Sequence, residues 1–253
     1  MTPVALTIAG SDPSGGAGIQ ADLKTFHQFG VYGQAVITLL TVQNTVSVSA
    51  VEPLSGDLVG RQLDAVLSDI RPGAAKTGAL GTVEIIETVA ARDLPILVVD
   101  PVMISKHGSA LLGADARDAL IRLLLPRAFL VTPNLPEAAS LCGGEFPPRE
   151  AARRIRDLGP RAVLIKGGHS GTDANDLLFD DAGFHLLPAE RIDTRHTHGT
   201  GCSYAAAIAA LLAGGTPLLE SVARAKTWIT EAIRTNPGLG AGSGPVNHFS
   251  SVK

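Results

Sequence analysis

The sequence predicts one α/β domain, built on a central, mostly parallel β-sheet with helices on both of its faces. Short runs of apolar, largely β-branched residues alternate with longer segments whose apolar residues recur at helical spacing. Because the short runs are apolar on both faces, they are typical of parallel strands covered by helices on each side. The 253 residues, 45% of them hydrophobic, suffice for one large core without a linker or an internal repeat. We therefore expect a single domain over residues 1–253.

The first half of the chain begins with a buried strand and an amphipathic helix. Val4–Ala9 predicts the strand, and the helix Gly16–Phe29 follows because Ile19, Leu23 and Phe26 share one helical face. Apolar runs then predict strands at Ala35–Val42, Val46–Val51, Ala74–Lys76 and Ile96–Val99. Helical spacing of apolar residues predicts helices between them at Leu58–Ile70 and Thr82–Ala91.

The second half continues the alternation and adds a hairpin. Helices are predicted at Asp115–Leu124, Pro136–Leu141 and Pro148–Leu158, and strands at Phe129–Val131 and Ala162–Ile165. Segments 176–179 and 183–187 flank Asp180-Asp181, which predicts a hairpin at an edge of the sheet. Helices at Ser203–Leu212 and Leu218–Arg234 close the chain, but the pattern does not give the order of the strands.

Composition and charge exclude several classes of protein. The formal net charge is −3 and basic residues never occur in runs, so no nucleic-acid partner is expected. Cys142 and Cys202 lie far apart and lack a metal-like spacing to histidine, which argues against a disulfide scaffold or a zinc site. The N-terminus lacks the basic start of a signal peptide, and the longest apolar segment, Tyr204–Ala213, is too short for a bilayer. We expect no membrane contact and a cytoplasmic location.

Polar and glycine residues gather where the predicted strands end. In open parallel sheets ligands bind just beyond the carboxyl ends of the strands, so these clusters predict a binding site. Each cluster taken alone is equally compatible with a tight turn or a helix cap. The clusters are Gly10–Gly18, Gln43–Thr45, Asp100–Met103, Thr132–Glu137 and Lys166–His169.

The strongest single feature is the segment Thr197–Cys202, which leads directly into a helix. Gly199 and Gly201 let the backbone approach a ligand closely, and the free N–H groups of the helix start favour an oxyanion or a phosphate. Cys202 lies in the first helical turn, where we expect the pKa of its thiol to be depressed so that it can accept a proton. The alternative is a glycine-rich helix start with a buried, inert cysteine.

Two common phosphate motifs do not account for this pattern. No G-x-x-x-x-G-K-[ST] segment occurs, which excludes the usual P-loop. Gly16–Ala21 matches G-x-G-x-x-A, but a long loop separates it from the strand that ends at Ala9. No acidic residue ends the second strand either, so a nicotinamide-dependent oxidoreductase is disfavoured.

The motifs in combination resemble those of the hydroxymethylpyrimidine/phosphomethylpyrimidine kinase family, within the ribokinase-like superfamily. The resemblance runs in order from Val4 to the tail segment 244–249 and covers nearly the whole chain. It is carried by the segments Ala9–Lys24, Gln43–Thr45, Asp100–Met103, Thr132–Ala138, Lys166–His169 and Thr197–Cys202. It implies a ribokinase-like fold and Mg-ATP-dependent phosphorylation of 4-amino-5-hydroxymethyl-2-methylpyrimidine and then of its monophosphate, in thiamine biosynthesis.

The resemblance also implies roles for individual residues. Cys202 is expected to take the proton of the hydroxymethyl group while the backbone of Gly199, Thr200 and Gly201 holds the transferring phosphoryl group. The ring pocket is expected to be formed by Gln43, Asp22, Gly10 and Val102. The Gln43 amide suits an aminopyrimidine edge because it offers both a donor and an acceptor. Asp22 has an alternative as a capping or pairing residue on the helix surface.

The remaining implied roles concern ATP and Mg²⁺. Asn134, Lys166 and Thr197 are expected to contact the nucleotide phosphates, and Glu137 and Asp100 the metal. Glu137 has an alternative as a first-turn carboxylate favoured by the helix dipole, and Lys166 as a solvated strand-end lysine. Relatives also suggest a homodimer.

Three residues depart from the family pattern: Ala79 stands where methionine is common, His196 where asparagine is expected, and His107 where serine or threonine is usual. None is the expected base, but Ala79 predicts a roomier ring pocket. Two alternatives to the pyrimidine kinase therefore stay open. One is a pyridoxal or pyridoxine kinase, whose substrate ring also bears a hydroxymethyl group. The other is a non-catalytic binder, which the presence of Cys202, Glu137 and Asn134 disfavours.

Overall fold

The computed structural model describes residues 2–103, 111–168 and 173–252, and the strands in this part of the chain form one sheet. The strands are β1 (Val4–Ser11), β2 (Tyr32–Gln43), β3 (Val48–Pro53), β4 (Ala74–Thr77), β5 (Ile96–Val99), β6 (Leu130–Val131), β7 (Ala162–Ile165), β8 (Asp176–Asp180) and β9 (Gly183–Leu187). The helices are α1 (Gly18–Gln28), α2 (Gly56–Asp69), α3 (Val83–Ala90), α4 (Ala114–Ala119), α5 (Leu135–Cys142), α6 (Pro148–Arg156), α7 (Thr200–Ala213) and α8 (Leu218–Arg234).

The strand order is β3-β2-β1-β4-β5-β6-β7-β8-β9. The six strands from β2 to β7 in this order run parallel to their neighbours, whereas β3, β8 and β9 are antiparallel additions at the two edges. The predicted mostly parallel sheet is confirmed, and β8 and β9 form the predicted edge hairpin. The C-terminal ends of all parallel strands lie on the same side of the sheet. We call this side, which runs across the strand ends, the carboxyl edge.

Two apolar clusters fill the space on the two faces of the sheet. One contains residues of α2 to α6, such as Leu63, Ile85 and Ile155, and the other contains residues of α1, α7 and α8, such as Phe26 and Trp228. Alternate residues of one strand enter opposite clusters, since Val99 joins the first and Val98 the second. The alternation explains why the parallel strands read as apolar on both faces.

Helix α7 lies at the centre of its layer, because every residue from Ser203 to Leu212 is buried. A helix that is apolar on all sides must be covered on all sides. Here α1 and α8 pack against α7 on either side. Its N-terminus reaches the carboxyl edge. Within the described ranges, no helix is long and apolar enough to span a membrane.

Local chemistry explains where two of the helices begin and where one prediction differs. Ser55 and Thr82 accept hydrogen bonds from the backbone N–H groups at the starts of α2 and α3. The predicted helix Asp115–Leu124 is α-helical only to Ala119; a π-helical turn then spans Leu120–Leu124 and a short 3₁₀ turn spans Leu125–Arg127. Pro126 lacks the N–H that a continuing α-helix would need, so the segment tightens and ends there.

Candidate active site

The glycine turn before α7 is held against the first loop of the chain. Gly199 has a φ of 77°, in the left-handed region that favours glycine, and a Cβ at this position would lie 1.7 Å from the Gly16 carbonyl oxygen. Thr200 Oγ1 donates to the Thr197 carbonyl at 2.8 Å, which closes the turn. The turn directs the first N–H groups of α7 at the carboxyl edge, as expected of an anion cradle.

A charged cluster faces this turn from the ends of β5, β6 and β7. Lys166 Nζ lies 2.8 Å from Asp100 Oδ1 and 4.0 Å from Glu137 Oε2. Thr132 Oγ1 donates to the same Asp100 oxygen at 3.2 Å. A Cβ on Gly201 would lie 3.3 Å from Lys166 Nζ, so the cluster and the glycine turn form one site. The structure thus brings together residues that are up to 102 positions apart, from Asp100 to Cys202.

Burial and neighbouring charges tune the ionisation of this cluster. Burial raises the pKa of Glu137 to about 7, since Lys166 only partly offsets burial and Asp100 adds repulsion. Burial lowers the pKa of Lys166, but Asp100 and then Glu137 outweigh burial and raise it overall. Lys166 is therefore a charged partner of two carboxylates rather than a solvated strand-end lysine.

Asn134 and Glu137 also form the capping box of α5. Asn134 Oδ1 accepts from the Glu137 N–H at 2.9 Å, and Glu137 Oε2 accepts from the Asn134 N–H at 2.8 Å. Glu137 thus has a structural role at the start of α5 in addition to any catalytic role. Glu137 keeps a second carboxylate oxygen, and Asp100 keeps Oδ2, for another ligand.

Two carboxylates at this place fit a Mg²⁺ ion that is shared with nucleotide phosphates, because Mg²⁺ usually takes one or two carboxylates and several waters. Across the residues that the structure describes, no group of three or more His, Cys, Asp or Glu side chains could hold a metal ion by itself. The site is consistent with an ion that depends on the phosphates for part of its coordination.

The Cys202 thiol differs from the expectation in its acidity. We expected the helix start to depress its pKa, but burial raises that pKa to about 11. Lys76 counteracts burial, whereas Asp22 and Asp100 reinforce it. The sequence indicated the helix start but not the two buried carboxylates, so the predicted direction of the Cys202 pKa shift was wrong.

Asp22 forms a buried ion pair that the sequence did not reveal. Its Oδ2 lies 2.8 Å from Lys76 Nζ and accepts from Thr7 Oγ1 at 2.6 Å, and both charged side chains have 0% exposure. Neither a surface cap nor a surface pair therefore describes Asp22. Within the described part of the chain its other oxygen, Oδ1, has no hydrogen-bond partner. A lysine in the short apolar strand β4 was the signal for this pair.

Gln43 ends β2 and lies against the loop before α7. Its Nε2 is 3.0 Å from Nε2 of His198, which is itself 2.7 Å from Oδ2 of Asp12. His198 and Asp12 stood in the motifs without an assigned role. Asn44 uses its side-chain oxygen to close a turn with the N–H groups of Val46 and Ser47.

The other predicted site residues occupy the same edge. Gly10 lies at an irregularity in the pairing of β1 with β2, where a Cβ would meet Leu39 at 2.5 Å. The Val102 N–H donates to the Asp100 carbonyl at 2.8 Å, which folds the chain back after β5. The Ala79 carbonyl accepts from Thr38 Oγ1 at 2.6 Å. His107 and His169 lie outside the described residues.

Fold and site together define the class: a ribokinase-like kinase, in which an anion cradle at a helix start faces a lysine and two carboxylates across the carboxyl edge of the sheet. Among solved structures, an ADP complex of Bacillus subtilis pyridoxal kinase has a TM-score of 0.91 and 40% sequence identity. The match covers 99% of this chain and 98% of that chain.

Sequence comparison then gives the family. The family model described as phosphomethylpyrimidine kinase matches residues 12–247, and the chain belongs to that family. The hydroxymethylpyrimidine/phosphomethylpyrimidine kinase of Rhizobium meliloti is 51% identical over 260 residues, which cover 98% of both chains. The thiamine biosynthesis bifunctional protein ThiED of Geobacter sulfurreducens is 51% identical over 257 residues, and this chain spans 52% of its length. The resemblance inferred from the motifs is confirmed.

Proposed function

We propose that this chain transfers the γ-phosphoryl group of ATP to the hydroxymethyl oxygen of 4-amino-5-hydroxymethyl-2-methylpyrimidine, and then a second phosphoryl group to the monophosphate. The observation that carries the proposal is the position of Cys202 in the first turn of α7, directly after the glycine turn and close enough to Asp100, a member of the Lys166–Asp100–Glu137 cluster, for that carboxylate to affect the thiol pKa. Family membership and the names of the relatives support the same substrates and a place in thiamine biosynthesis.

In the first transfer, the hydroxymethyl oxygen forms a bond to the γ-phosphorus and the bond from that phosphorus to the bridging oxygen of ADP breaks. The proton of the hydroxyl group passes to the Cys202 sulfur, which must be a thiolate to receive it. The N–H groups of Gly199, Thr200 and Gly201 stabilise the charge on the transferring group. Because burial raises the pKa of Cys202 to about 11, the thiol must first release its own proton to solvent, and this release is part of the barrier.

For the nucleotide, Lys166, Asn134 and Thr197 contact the phosphates in this proposal, and Asp100 and Glu137 hold Mg²⁺. A bound Mg²⁺ neutralises charge on the β- and γ-phosphates. Lys166 adds a positive charge that its two carboxylate neighbours hold in place at 2.8 and 4.0 Å. The ADP bound to the B. subtilis neighbour supports ATP as the phosphoryl donor.

For the ring, Gln43 forms the polar wall of the pocket, with the Gly10 backbone and Val102 beside it. Asp22 completes the pocket from below with its Oδ1, the carboxylate oxygen that has no hydrogen-bond partner among the described residues. The second candidate substrate is pyridoxal, which the likeness to a pyridoxal kinase and the small Ala79 side chain favour. The family model and the 51%-identical relatives favour the pyrimidine.

We also propose a homodimer and a cytoplasmic location. Leu40 and Val42 on β2 and the nearby Val46 are exposed apolar residues, and a second copy would cover them. Light scattering of the purified chain tests the dimer. The location rests on the two unpaired cysteines, which are typical of a reducing compartment.

The first experiment is ATP turnover with hydroxymethylpyrimidine and, separately, with pyridoxal, with both products identified by mass. Mono- and diphosphorylated pyrimidine would support both steps of the proposal. Turnover of pyridoxal alone would assign the site to the alternative substrate, and turnover of neither would contradict the proposed function.

A further inference from the structure

A chain of hydrogen bonds links Gln43 to the first loop through His198. Both the Gln43 amide and the Asp12 carboxylate approach the same ring nitrogen, Nε2 of His198, at 3.0 and 2.7 Å. A neutral ring nitrogen either carries a hydrogen and donates, or lacks it and accepts. The partners of Asp12 decide which of these applies.

Asp12 is held as an ionised acceptor. Its Oδ1 accepts from the Ser14 N–H and Oγ at 2.9 and 2.7 Å, and its Oδ2 accepts from the Ala17 N–H at 2.9 Å. Despite burial, the hydrogen bonds from His198 and Ser14 lower the pKa of Asp12. An ionised carboxylate can only accept, so Nε2 of His198 carries a hydrogen and donates it to Asp12.

The other ring nitrogen agrees with this assignment. His198 Nδ1 is buried and has no hydrogen-bond partner within the described ranges. A buried N–H without a partner is costlier than an acceptor without one. The hydrogen bonds therefore assign a hydrogen to Nε2, the nitrogen that faces both Asp12 and Gln43.

The hydrogen on Nε2 fixes the orientation of the Gln43 amide. Two N–H groups cannot bond to each other, so the amide nitrogen cannot be the group that faces His198. Turning the amide over places Oε1 where it can share the His198 N–H with Asp12 in a three-centre hydrogen bond, and it directs the NH₂ group away from the ring. The exchange needs no other movement, because the oxygen and nitrogen of an amide have nearly the same size.

We infer that His198 is a specificity-determining positioning residue, which fixes the Gln43 amide so that its NH₂ group faces the substrate ring as a donor. The inference rests on the proposed function, in which Gln43 contacts the ring. In an aminopyrimidine, the ring nitrogen beside the amino group is an acceptor and the amino group is a donor. The fixed amide matches both, because NH₂ donates to the ring nitrogen and the second lone pair of Oε1 accepts from the amino group.

The same amide opposes a ring with the reverse pattern. The 4-oxo analogue of the substrate presents a ring N–H and a carbonyl, which would face a donor with a donor and an acceptor with an acceptor. An amide without the His198 contact can turn over and match either ring. His198 thus supplies discrimination between amino and oxo rings rather than affinity alone.

The surrounding loops are built to hold His198 at this position. A Cβ on Gly16 would lie 2.4 Å from His198 Cδ2, so only glycine fits at residue 16. The His198 N–H donates to the Gly244 carbonyl at 3.0 Å, which ties the backbone to the C-terminal segment. Neither contact depends on the donor hydrogen of the ring, so a substitution can remove that donor and keep the loop contacts.

The test compares kcat/KM for the 4-amino ring and its 4-oxo analogue in three forms of the full chain. The wild type is expected to prefer the amino ring by at least ~10²-fold, in line with sites that hydrogen-bond a substrate group. His198→Leu has no donor and is expected to lower this preference by at least ~10-fold, with the KM for ATP unchanged. His198→Gln can place an amide N–H near the former Nε2 and is expected to retain most of the preference.

A His198→Leu variant that keeps the wild-type preference overturns the inference. Gln43→Ala serves to separate the two proposals, since it should abolish most of the preference if Gln43 contacts the ring. An unchanged preference in Gln43→Ala would overturn the ring assignment in the proposed function and this inference with it. If His198→Leu does not fold, Asp12→Asn replaces it, because an amide no longer dictates which nitrogen of His198 carries the hydrogen. The preference must then fall, and an unchanged preference overturns the inference.

Discussion

Lys76 Nζ lies 2.8 Å from Asp22 Oδ2 beneath the carboxyl edge, and neither side chain is exposed to solvent. Burial lowers the pKa of Lys76, but the adjacent Asp22 carboxylate, together with Cys202 and Asp100, outweighs burial and raises it. Lys76 therefore stays charged in the core, where its charge favours a thiolate at Cys202 over the thiol, as does the hydrogen bond from the Gly18 backbone. The Lys76–Asp22 pair therefore bears both on the stability of the sheet and on the ionisation of Cys202.

Breaking this pair from one side should be costly. Lys76→Met leaves the Asp22 carboxylate buried without its partner and is expected to lower the free energy of unfolding by about 3–5 kcal/mol. The double variant Lys76→Met/Asp22→Leu removes both charges and should lose clearly less. Urea unfolding of the two single variants, the double variant and the wild type measures this. Losses in the double variant equal to the sum of the single losses would show that the two residues do not act as a pair.

Replacing the Cys202 thiol should affect the two phosphorylations differently. The first nucleophile is a hydroxyl group that must lose a proton, so Cys202→Ala is expected to lower its kcat by ~10²–10⁴. The second nucleophile is a phosphate oxygen, which is already largely ionised near neutral pH because its second pKa is about 6. The second step should therefore lose much less. Single-turnover assays with each substrate measure both steps.

Cys142→Ala is the matched control for that experiment. Cys142 lies at the end of α5, and its thiol donates to the Ala151 carbonyl rather than into the site. Both steps should run at the wild-type rate in this variant. Equal losses in the two steps for Cys202→Ala would contradict a role as the base.

The first phosphorylation should become faster as the pH rises. The raised pKa, about 11, means that Cys202 is protonated at neutral pH and that its thiolate fraction grows with pH. Below that pKa the fraction grows about tenfold per pH unit. Glu137, whose pKa is raised to about 7, also loses its proton over the lower part of this range, which acts in the same direction. Values of kcat/KM from about pH 6 to about pH 9 measure the slope.

Cys202→Asp provides the comparison, because a carboxylate there needs no further deprotonation above neutral pH. Its profile should flatten once Glu137 has ionised, whereas the wild-type profile should continue to rise. A wild-type profile that is flat from neutral to alkaline pH would exclude deprotonation of Cys202 from the rate-limiting barrier.

Glu137→Gln should weaken the use of Mg²⁺ while it preserves the fold. Glutamine at the third helical position can still accept from the Asn134 N–H, so the capping box of α5 survives and stability should change by less than about 1 kcal/mol. The apparent Mg²⁺ requirement should rise, because one of the two carboxylates is lost. Mg²⁺ titrations at saturating ATP, beside thermal unfolding, measure both effects; an unchanged Mg²⁺ requirement would leave Glu137 with the cap alone.

Local signals made most of the fold predictable. The edge hairpin was predicted from two apolar runs around Asp180-Asp181, and β8 and β9 confirm it. Strand order depends on contacts between distant segments, such as β1 with β4, and no local pattern carries that information. The π-helical turn at Leu120–Leu124 was missed because it depends on how the helix meets Pro126 rather than on the spacing of its apolar residues.

The site was predictable in its motifs but not in its electrostatics. The segments after the strands indicated where the charged groups converge, and Asp100, Glu137 and Lys166 do converge. The acidity of Cys202 depends on burial beside Asp22 and Asp100, which lie far from it in sequence. Asp22 was placed on a helix surface in one alternative because Lys76, its partner on β4, cannot be recognised from helical periodicity.

The enclosure of α7 has a consequence for how the site can move. The cradle residues Thr200 and Gly201 belong to a helix whose residues from Ser203 to Leu212 are all buried between the sheet, α1 and α8. Shifting that helix would expose or compress apolar side chains along its whole length. The anion cradle is therefore a rigid part of the site. Any opening and closing around the substrates during a catalytic cycle must be made by the loops that face the cradle.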